Sequence, residues 1–571
     1  MPVPTVTVGP EQIATLEAAL AALQSEREKV AELTRERDHL RASHERLRLE
    51  LELLKRRIFI AKAERVDTRQ LEMEFAATLA ELDRLAGTTP AAFRGGGGDD
   101  ANDTPKGPRK APTGRRDLRT LPLEEERVEI DDPIFEKLVA EGRAERFDFE
   151  ESCKLAFKRG GYRRLVVARV KYRVIDQNGE SQIETAPMPP ECFERSLAAP
   201  SVLAHVATEK LCDGLPLNRI ESRATREGVD LDRGTMSRWL EDAGATAGAT
   251  VVAAMKKEAL STAFCIATDA TGIRVQPEKR ADGARQPCRR GHYFVLIADK
   301  DHVLFEYTPK ESSAFVAETF KGYQGYVQAD AKNVYDVLFR MPKKPPDDPA
   351  KKEEVGCWSH LRRGLWEAAV CLKSAVARQG LARISRIFDL DDAWRSEHPE
   401  KIHRLRDEHL RVHIDAFFDW AEAEYGKVQH ERGMLRSALG YAVRQREALR
   451  RVLDDGRLIL ENNRSERALR KIATGRKAWL FVGSDGHAQS AANLLSLIAS
   501  ARLLDIEPEG YLRDLFRVLP HWPRDRYLEL APKYWLETRS RLDYRELAKE
   551  LGPLTIPSPL GRPPEEQPPA R

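Results

Sequence analysis

Residues 263–275, AFCIATDATGIRV, combine an apolar run with an aspartate, and two more apolar segments follow, HYFVLIADKD at 292–301 and HVLFEYTPK at 302–310. Their β-branched and aromatic content predicts three consecutive strands. Two segments that read as a strand followed by a helix come next, GYVQADAKNVYDVL at 325–338 and EVGCWSHLRRGLWEAA at 354–369. Together these patterns predict a mixed α/β core.

Outward from this core, composition and periodicity divide the chain into segments. The predicted fold class is therefore multidomain, with α+β and α/β parts. The tail from Gly552 is rich in proline, and we expect it to be disordered. The predicted segments are a helical coiled coil over 1–85, a disordered linker over 86–117, a small β-rich module over 118–200 that reads as short strands, a helix-turn-helix unit over 201–250, the first part of the core over 251–360, a helical insertion over 361–456, the second part of the core over 457–520 and a C-terminal extension over 521–571.

The N-terminal segment carries leucine at heptad spacing, at Leu33, Leu40, Leu47 and Leu54. A sustained heptad predicts a coiled coil through which the chain associates with copies of itself. Alternatively, one helix folds back on its own chain through a second helical stretch over 71–85.

Three short helical stretches precede the core. The first two end at Gly214 and Gly228, and Asp232 opens the third. Short helices joined by a turn that contains glycine are typical of a helix-turn-helix, whose reading helix would present Thr235 and Arg238 to DNA bases. Alternatively, the three helices pack together and bind nothing.

Charge and cysteine content exclude several classes of protein. Lys and Arg total 94 and Asp and Glu total 91 of 571 residues, so the net charge of +3 defines no partner by itself. No apolar run approaches the ~18–20 residues of a membrane helix, and the N-terminus does not resemble a signal peptide. The seven cysteines have no Cys-x-x-Cys spacing, which argues against a disulfide scaffold or a four-cysteine zinc module. We therefore expect a cytosolic protein.

Two aspartates follow apolar strands of the predicted core. Asp269 comes after the run 264–268 and Asp330 after 326–329, so we expect each to stand at the end of a strand. Strand ends present side chains to a cleft, and paired carboxylates suit hard divalent cations such as Mg²⁺. Alternatively, each aspartate caps the turn that follows its strand.

A third acidic candidate lies in LENNRSERALRKIATGRK at 460–477. If this stretch is helical, Glu466 shares a face with four residues, Asn462, Asn463, Leu469 and Arg470. Residues 461–480 contain six basic side chains and two acidic ones, which makes a local positive patch. The stretch is either part of a phosphate-binding site or a solvated helix held by Glu–Arg pairs. The apolar WLFVG that follows, which we expect to form a strand, favours the first interpretation.

These blocks together resemble the IS66 family of bacterial insertion-sequence transposases. The similarity covers about residues 15 to 520, includes LELLKRRIFIAKAERVD at 51–67, and is most specific in the Asn-Asn-Arg-x-Glu-Arg block. It implies an RNase H-like catalytic core with an Asp-Asp-Glu triad, which the matching blocks place at Asp269, Asp330 and Glu466. Glu466 follows Asp330 by 136 residues, and the helical insertion that such proteins carry accounts for this interval.

The sequence departs from the family pattern in two places. Members often have a Cys-rich, zinc-ribbon-like module before the helix-turn-helix, but 118–195 holds only Cys153 and Cys192. We therefore expect this module to fold without zinc. The first catalytic block often reads Asp-Glu-Thr and is Asp-Ala-Thr here, which keeps the aspartate of the triad.

The resemblance implies a DNA transposase that uses two Mg²⁺ or Mn²⁺ ions, held by the triad, for strand cleavage and strand transfer. The expected partners are double-stranded DNA, both element ends and target, further copies of the chain in at least a dimer, and accessory proteins encoded by the same element. The expected location is the bacterial cytoplasm, at the nucleoid. Candidate phosphate contacts are His360, Arg362, Arg363, Arg467, Arg470, Arg476 and Lys477.

Two other functions stay open on the sequence alone. One is a catalytically silent DNA-binding protein derived from a transposase. The other is a structural coiled-coil scaffold whose α/β domain is incidental. Metal-dependent nicking would separate the first from an active enzyme, and affinity for DNA at moderate salt would exclude the second.

Overall fold

The chain divides into two units, Met1–Pro112 and Thr113–Arg571. The predicted coiled coil over 1–85 and linker over 86–117 lie outside the described residues, apart from Lys29. All other described residues belong to the second unit. The computed structural model describes Lys29 and residues 124–158, 160–175, 181–193, 196–277, 283–284, 286–339 and 352–561.

The β-rich module is built on one four-stranded sheet. Its elements are β1 (Glu124–Ile130), α1 (Pro133–Ala140), β2 (Ala144–Lys158), β3 (Gly161–Ile175) and β4 (Ser181–Thr185). β3 pairs in parallel with β1 and antiparallel with β2 and β4. The prediction of short strands is wrong here, because β2 and β3 have 15 residues each. Ion pairs between neighbouring strands, such as Arg163 with Glu124 at 3.1 Å, accommodate the interleaved basic residues of β3.

In the described part of the chain, four α-helices lie between the β-rich module and the central sheet: α2 (Pro200–Ala207), α3 (Leu217–Arg226), α4 (Arg233–Ala247) and α5 (Ala253–Thr262). Asp232 caps α4, since its carboxylate accepts a hydrogen bond from the Thr235 amide at 2.9 Å. The third predicted helix is not short, because a π-helical turn over Gly248–Val252 joins α4 to α5.

The central sheet has five strands in the order β7-β6-β5-β8-β9. β5 to β7 are antiparallel neighbours, whereas β5, β8 and β9 run parallel. This sheet confirms the predicted mixed α/β core, including its three consecutive strands. Its elements are β5 (Cys265–Val275), β6 (Arg289–Ala298), β7 (His302–Thr308), α6 (Ser313–Thr319), β8 (Gly325–Gln328), α7 (Asp336–Phe339) and β9 (Lys352–Val355).

The strand that carries Asp269 is longer than expected. The sequence predicts Asp269 at the end of a strand, but β5 continues six residues further, to Val275. The reason is its partner β6, which pairs with β5 from Ile266 to Val275, whereas β8 pairs with β5 only at Cys265, Ile266 and Ala267. Asp269 therefore lies inside a strand, beyond the point where pairing on its parallel side stops.

The segment that follows β9 is helical, with no strand among its described residues. These helices enclose a core of their own, in which Trp358 packs against Phe417 and Phe418. A buried ion pair joins Arg406 to Asp391 at 2.7 Å. The helices are α8 (Trp358–Cys371), α9 (Ala375–Ala393), α10 (Pro399–Leu405), α11 (Arg411–Val428), α12 (Met434–Arg444) and α13 (Arg446–Arg450).

The C-terminal helices complete the layer that covers the sheet. α15 packs on β7, where the hydroxyls of Ser496 and Ser500 accept hydrogen bonds from the amides of Phe305 and Val303. α15 also lies close to α4, since a Cβ atom at Gly244 would collide with the α15 backbone. These helices are α14 (Asn463–Trp479), α15 (Asp485–Leu503), α16 (Pro508–Val518), α17 (Pro532–Ser540) and α18 (Tyr544–Ala548).

Two expectations about this end of the chain are wrong. WLFVG is not a strand: α14 includes Trp479, and only Val482 forms a bridge to β5, at Val275. The tail is ordered over 552–561, because Arg517 and Arg526 donate hydrogen bonds to the carbonyls of Gly552 and Pro557, each at 2.9 Å. Across the described ranges, every helix is too short or too polar to span a bilayer.

Candidate active site

Asp269 and Asp330 lie at one site, joined by a lysine. Asp330 follows β8 by two residues, on the side where the pairing of β5 with β8 ends. The Lys332 ammonium lies 3.5 Å from Asp269 Oδ1 and 3.2 Å from Asp330 Oδ2. Both carboxylates are largely buried, with 16% and 13% of their side chains exposed. The structure thus brings together two of the three predicted acidic residues.

Lys332 and Glu311 are members of this site that the sequence reasoning missed. Glu311 lies 3.9 Å from the Lys332 ammonium and 3.7 Å from His292 Nε2. The only signal for Lys332 was its place two residues after Asp330, and Glu311 gave none. Glu311 reaches the site because α6 begins just after it, next to the central sheet.

The protonation of the pair follows from its burial. Burial raises the pKa of Asp269, and the nearby Asp330 adds to this, whereas Lys332 and His360 oppose it. Burial alone would lower the pKa of Lys332, but the attraction of Asp330 and Asp269 outweighs it, and this pKa is raised. The ammonium therefore stays charged and takes the position between the carboxylates that a metal cation could occupy.

Glu466 enters from the first turn of α14. Its Oε1 lies 3.7 Å from His360 Nε2 and 3.4 Å from Arg363 Nη2. The start of α14 is fixed by Asn462, whose side-chain amide donates to the carbonyl of Thr268 at 2.8 Å, next to Asp269. On the predicted common face, Asn462 and Leu469 are buried and Arg470 is exposed.

The donor atoms support cation binding at the aspartate pair. Asp330 Oδ1 is buried and has no hydrogen-bond partner among the described residues. A carboxylate oxygen in that condition is a suitable ligand for a hard divalent cation. However, within the described ranges no three His, Cys, Asp or Glu side chains are close enough together to hold one ion. The residues therefore fit a cation at Asp269 and Asp330, with Glu466 held apart by His360 and Arg363.

The predicted DNA contacts fall into two groups. Arg363, Arg467, Arg470 and Lys477 are exposed, and so is Arg362, which lies over the ring of Phe388. Arg476 is half-buried in the last turn of α14 and donates hydrogen bonds to Thr271 Oγ1, at 3.2 Å, and to the Gly272 carbonyl. Its role in fastening α14 to β5 was not foreseen, because the sequence places the two more than 200 residues apart.

The helix-turn-helix candidates lie at the start of α4. Arg238 is exposed, and its Nη2 donates to Thr235 Oγ1 at 3.0 Å. Thr235 is half-buried, and its amide donates to the capping carboxylate of Asp232. The two side chains therefore form one surface feature, one helical turn apart.

Comparison with protein families places the chain among the transposases. Residues 195–490 match the family described as Transposase IS66 family, and residues 496–533 match the IS66 C-terminal element. The first match alone spans more than half of the chain. The chain belongs to the IS66 transposase family.

Two relatives in Sinorhizobium fredii (strain NBRC 101917 / NGR234) extend the similarity. Uncharacterized protein y4qI is 27% identical over 439 residues, which cover 74% of this chain and 78% of y4qI. Uncharacterized protein y4hP is 26% identical over 519 residues, which cover 86% of this chain and 88% of y4hP. These relatives extend over most of the chain and carry no assigned activity.

Proposed function

We propose that this chain is the DNA transposase of an insertion sequence, which binds the ends of its element and catalyses metal-dependent strand cleavage and strand transfer. The observation that carries the proposal is the convergence of Asp269 and Asp330, from neighbouring strands, on the Lys332 ammonium. The order of the central sheet supports an RNase H-like core, with α14 bringing Glu466 from beyond the helical insertion. Membership of the IS66 transposase family supports the same function.

The proposed catalytic residues are Asp269, Asp330 and Glu466, which would hold Mg²⁺ or Mn²⁺ ions, two in the complete site. Bound divalent ions supply an activated water and stabilise the departing 3′ oxygen. For a cation to enter, Lys332 must leave the aspartate pair, and its side chain, which is 43% exposed, has room for that movement. Glu466 must likewise turn from Arg363 towards the aspartates.

We assign DNA binding to the exposed basic residues on and around α14 and α8. His360 and Arg363 already contact Glu466 and would meet a phosphate near the reacting bond. Phosphate contacts give affinity without sequence information. Recognition of the element ends belongs to Thr235 and Arg238 at the start of α4. The other proposed phosphate contacts are Arg362, Arg467, Arg470, Arg476 and Lys477.

The remaining assignments follow from this function. We propose that the chain acts at the bacterial nucleoid, as at least a dimer formed through residues 1–85, together with accessory proteins of the same element. The β-rich module would work without zinc, since it offers Cys153 and Cys192 as its only thiols.

A catalytically silent DNA-binding protein is the second candidate, and one observation favours it. Glu466 pairs with Arg363, and no three-residue metal cluster forms among the described residues. A protein that had lost catalysis would keep its basic surface and its reading helix while its carboxylates stay neutralised by Lys332 and Arg363.

A cleavage assay separates the two candidates. The full chain is incubated with duplex DNA that carries the ends of its own element, with Mg²⁺, with Mn²⁺ or with EDTA. A transposase cleaves at the element ends only when a divalent metal is present. Binding without cleavage in either metal would identify the silent DNA-binding protein.

A further inference from the structure

A cleft of about 920 Å³ opens beside the part of β5 that follows Asp269. Gly272 contributes to its wall and lies three residues after Asp269, about 10 Å along an extended strand. No aspartate or glutamate occurs among the described residues that line this cleft, whereas four arginines do. We name it the arginine cleft, after Arg274, Arg289, Arg290 and Arg476.

Two apolar side chains at the cleft are unusually exposed. Leu480 is 64% exposed and Phe481 is 45% exposed, directly after α14. Leu480 has φ 62° and ψ −49°, and the Phe481 amide donates to the Trp479 carbonyl at 2.7 Å. These dihedral angles and this hydrogen bond define a γ-turn with positive φ at Leu480. Such turns are rare and strained for a residue with a side chain, and persist where the surrounding structure enforces them.

The turn is held firmly against β5. The Val482 amide donates to the Arg274 carbonyl at 2.9 Å, and the Gln276 amide donates to the Val482 carbonyl at 2.8 Å. Because both the amide and the carbonyl of Val482 are hydrogen-bonded to β5, the turn that precedes Val482 is fixed in place. The exposure of Phe481 is therefore built into the fold.

The arginines of the cleft differ in what they already contact. Arg274 and Arg290 are exposed, and the Arg290 guanidinium lies over Gly272, where a Cβ atom would come within 2.7 Å of its Nε. Arg289 is ion-paired with Asp485, and Arg476 is bonded to the β5 backbone. Among the described residues Arg274 and Arg290 have no ion-pair partner, so their guanidinium groups remain available to a ligand beside Phe481.

We propose that the arginine cleft binds an unpaired nucleotide of DNA, with its base against Phe481 and Leu480 and its phosphates on Arg274 and Arg290. The proposal rests on the proposed function, because that function brings opened DNA to Asp269 on the same strand. An exposed aromatic side chain among arginines is the composition of single-strand binding surfaces, where bases stack and the backbone meets positive charge. Paired bases expose only their edges, so an apolar platform of this kind suits a base that has left the duplex.

The test compares two duplexes of the same random sequence, one fully paired and one with a short internal bubble, by fluorescence anisotropy with the full chain. We expect the bubble duplex to bind about tenfold more tightly, from one stacked base. Phe481→Ala should remove this preference and leave the affinity for paired duplex unchanged. Phe481→Trp should preserve the preference. Leu536→Ala is the matched control, since Leu536 is 63% exposed on α17.

A second measurement uses the unchanged protein and so does not depend on a variant that folds. Cys288 is exposed on the wall of the cleft. A short single-stranded oligonucleotide should slow alkylation of Cys288 several-fold while alkylation of Cys371 keeps its rate. Alkylation of Cys288 at the same rate with and without the oligonucleotide would overturn the proposal.

The outcomes separate this proposal from the proposed function. If wild type shows no bubble preference, or Phe481→Ala retains it, the cleft does not bind an unpaired base even when cleavage of element ends is observed. If the preference depends on Phe481 but no divalent metal supports cleavage, the proposal for the arginine cleft is supported and the proposed transposase activity is not.

Discussion

The side-chain amide of Asn462 donates a hydrogen bond to the carbonyl oxygen of Thr268 over 2.8 Å, in a fully buried environment. Thr268 immediately precedes Asp269, and Asn462 is the N-cap residue of the helix that carries Glu466. This bond therefore links the start of that helix to the strand that carries Asp269. The Asn462 backbone amide adds a second tie, to Cys357 Sγ at 3.2 Å.

Asn462→Ala should lower stability and impair cleavage more than binding. Loss of the side chain leaves the buried Thr268 carbonyl without a donor, at a cost of about 1–3 kcal/mol. The first turn of α14 would shift, and Glu466 with it. Melting temperature, DNA affinity and cleavage rate are measured for this variant and for Asn463→Ala, whose half-exposed side chain serves as the control. Wild-type cleavage in Asn462→Ala would show that the bond does not position Glu466.

Neutralising the triad should abolish cleavage and preserve binding. Each of three substitutions removes a charged oxygen that a metal ion needs: Asp269→Asn, Asp330→Asn and Glu466→Gln. Binding to DNA phosphates depends instead on basic side chains. Strand cleavage and DNA affinity are measured side by side. The control for loss of one carboxylate charge is Glu367→Gln, at an exposed position on α8. A variant that cleaves at nearly the wild-type rate would remove its residue from the site.

Lys332→Met should make the protein more dependent on divalent metal. The change leaves two buried carboxylates without their cation, which costs about 1–2 kcal/mol at this partly exposed lysine. Added Mg²⁺ would take over that neutralisation, so the melting temperature should rise more in the variant than in wild type. Lys310→Met, at an exposed position nearby in the chain, controls for loss of a surface charge. An equal response of both proteins to Mg²⁺ would argue against a cation between Asp269 and Asp330.

Lys477→Ala and Arg476→Ala should differ although the residues are adjacent. Lys477 is exposed, so its loss should make the slope of log K against log salt shallower by about one unit. Arg476 holds the backbone of β5, so its loss should also cost about 1 kcal/mol of stability. Salt titrations of DNA binding and thermal unfolding test both variants. An unchanged salt slope in Lys477→Ala would place the DNA elsewhere than over the end of α14.

Acid should destabilise the protein through Glu258. Burial alone would raise the pKa of Glu258, but hydrogen bonds from His302, at 2.6 Å, and Tyr534, with the charge of Lys533, lower it to about 2. Because the pKa in the fold is below the ordinary value of 4.5, this stabilisation is complete above about pH 4.5 and is lost as pH falls towards 2.

Glu258→Gln should therefore be less stable near neutral pH and lose less stability on acidification. The measurement is the free energy of unfolding between about pH 6 and pH 3, with Glu318→Gln as the control at an exposed glutamate. Parallel acid profiles for wild type and Glu258→Gln would show that this cluster is not the source of acid sensitivity.

Local chemistry explains what was predictable. Neighbouring residues encode the strands β5, β6 and β7 through apolar runs, and the capping side chain of Asp232 encodes the start of α4. Those signals act over a few residues and need no tertiary information. Errors arose where a distant partner decided the outcome. Pairing with β6 extends β5 past Asp269, so Asp269 is not at a strand end. WLFVG does not form a strand, because the helix whose Arg476 packs on β5 continues to Trp479.

The sequence by itself determined the strand and helix types of the core, the family blocks, and the identity of the acidic candidates, because these depend on residue type and short spacing. Only the tertiary structure decided that Lys332 bridges Asp269 and Asp330, and that Glu466 pairs with His360 and Arg363. The physical reason is that charges interact through space over a few ångströms. Which charges meet is set by the pairing of β5 with β8 and by the Asn462 bond across 194 residues of chain.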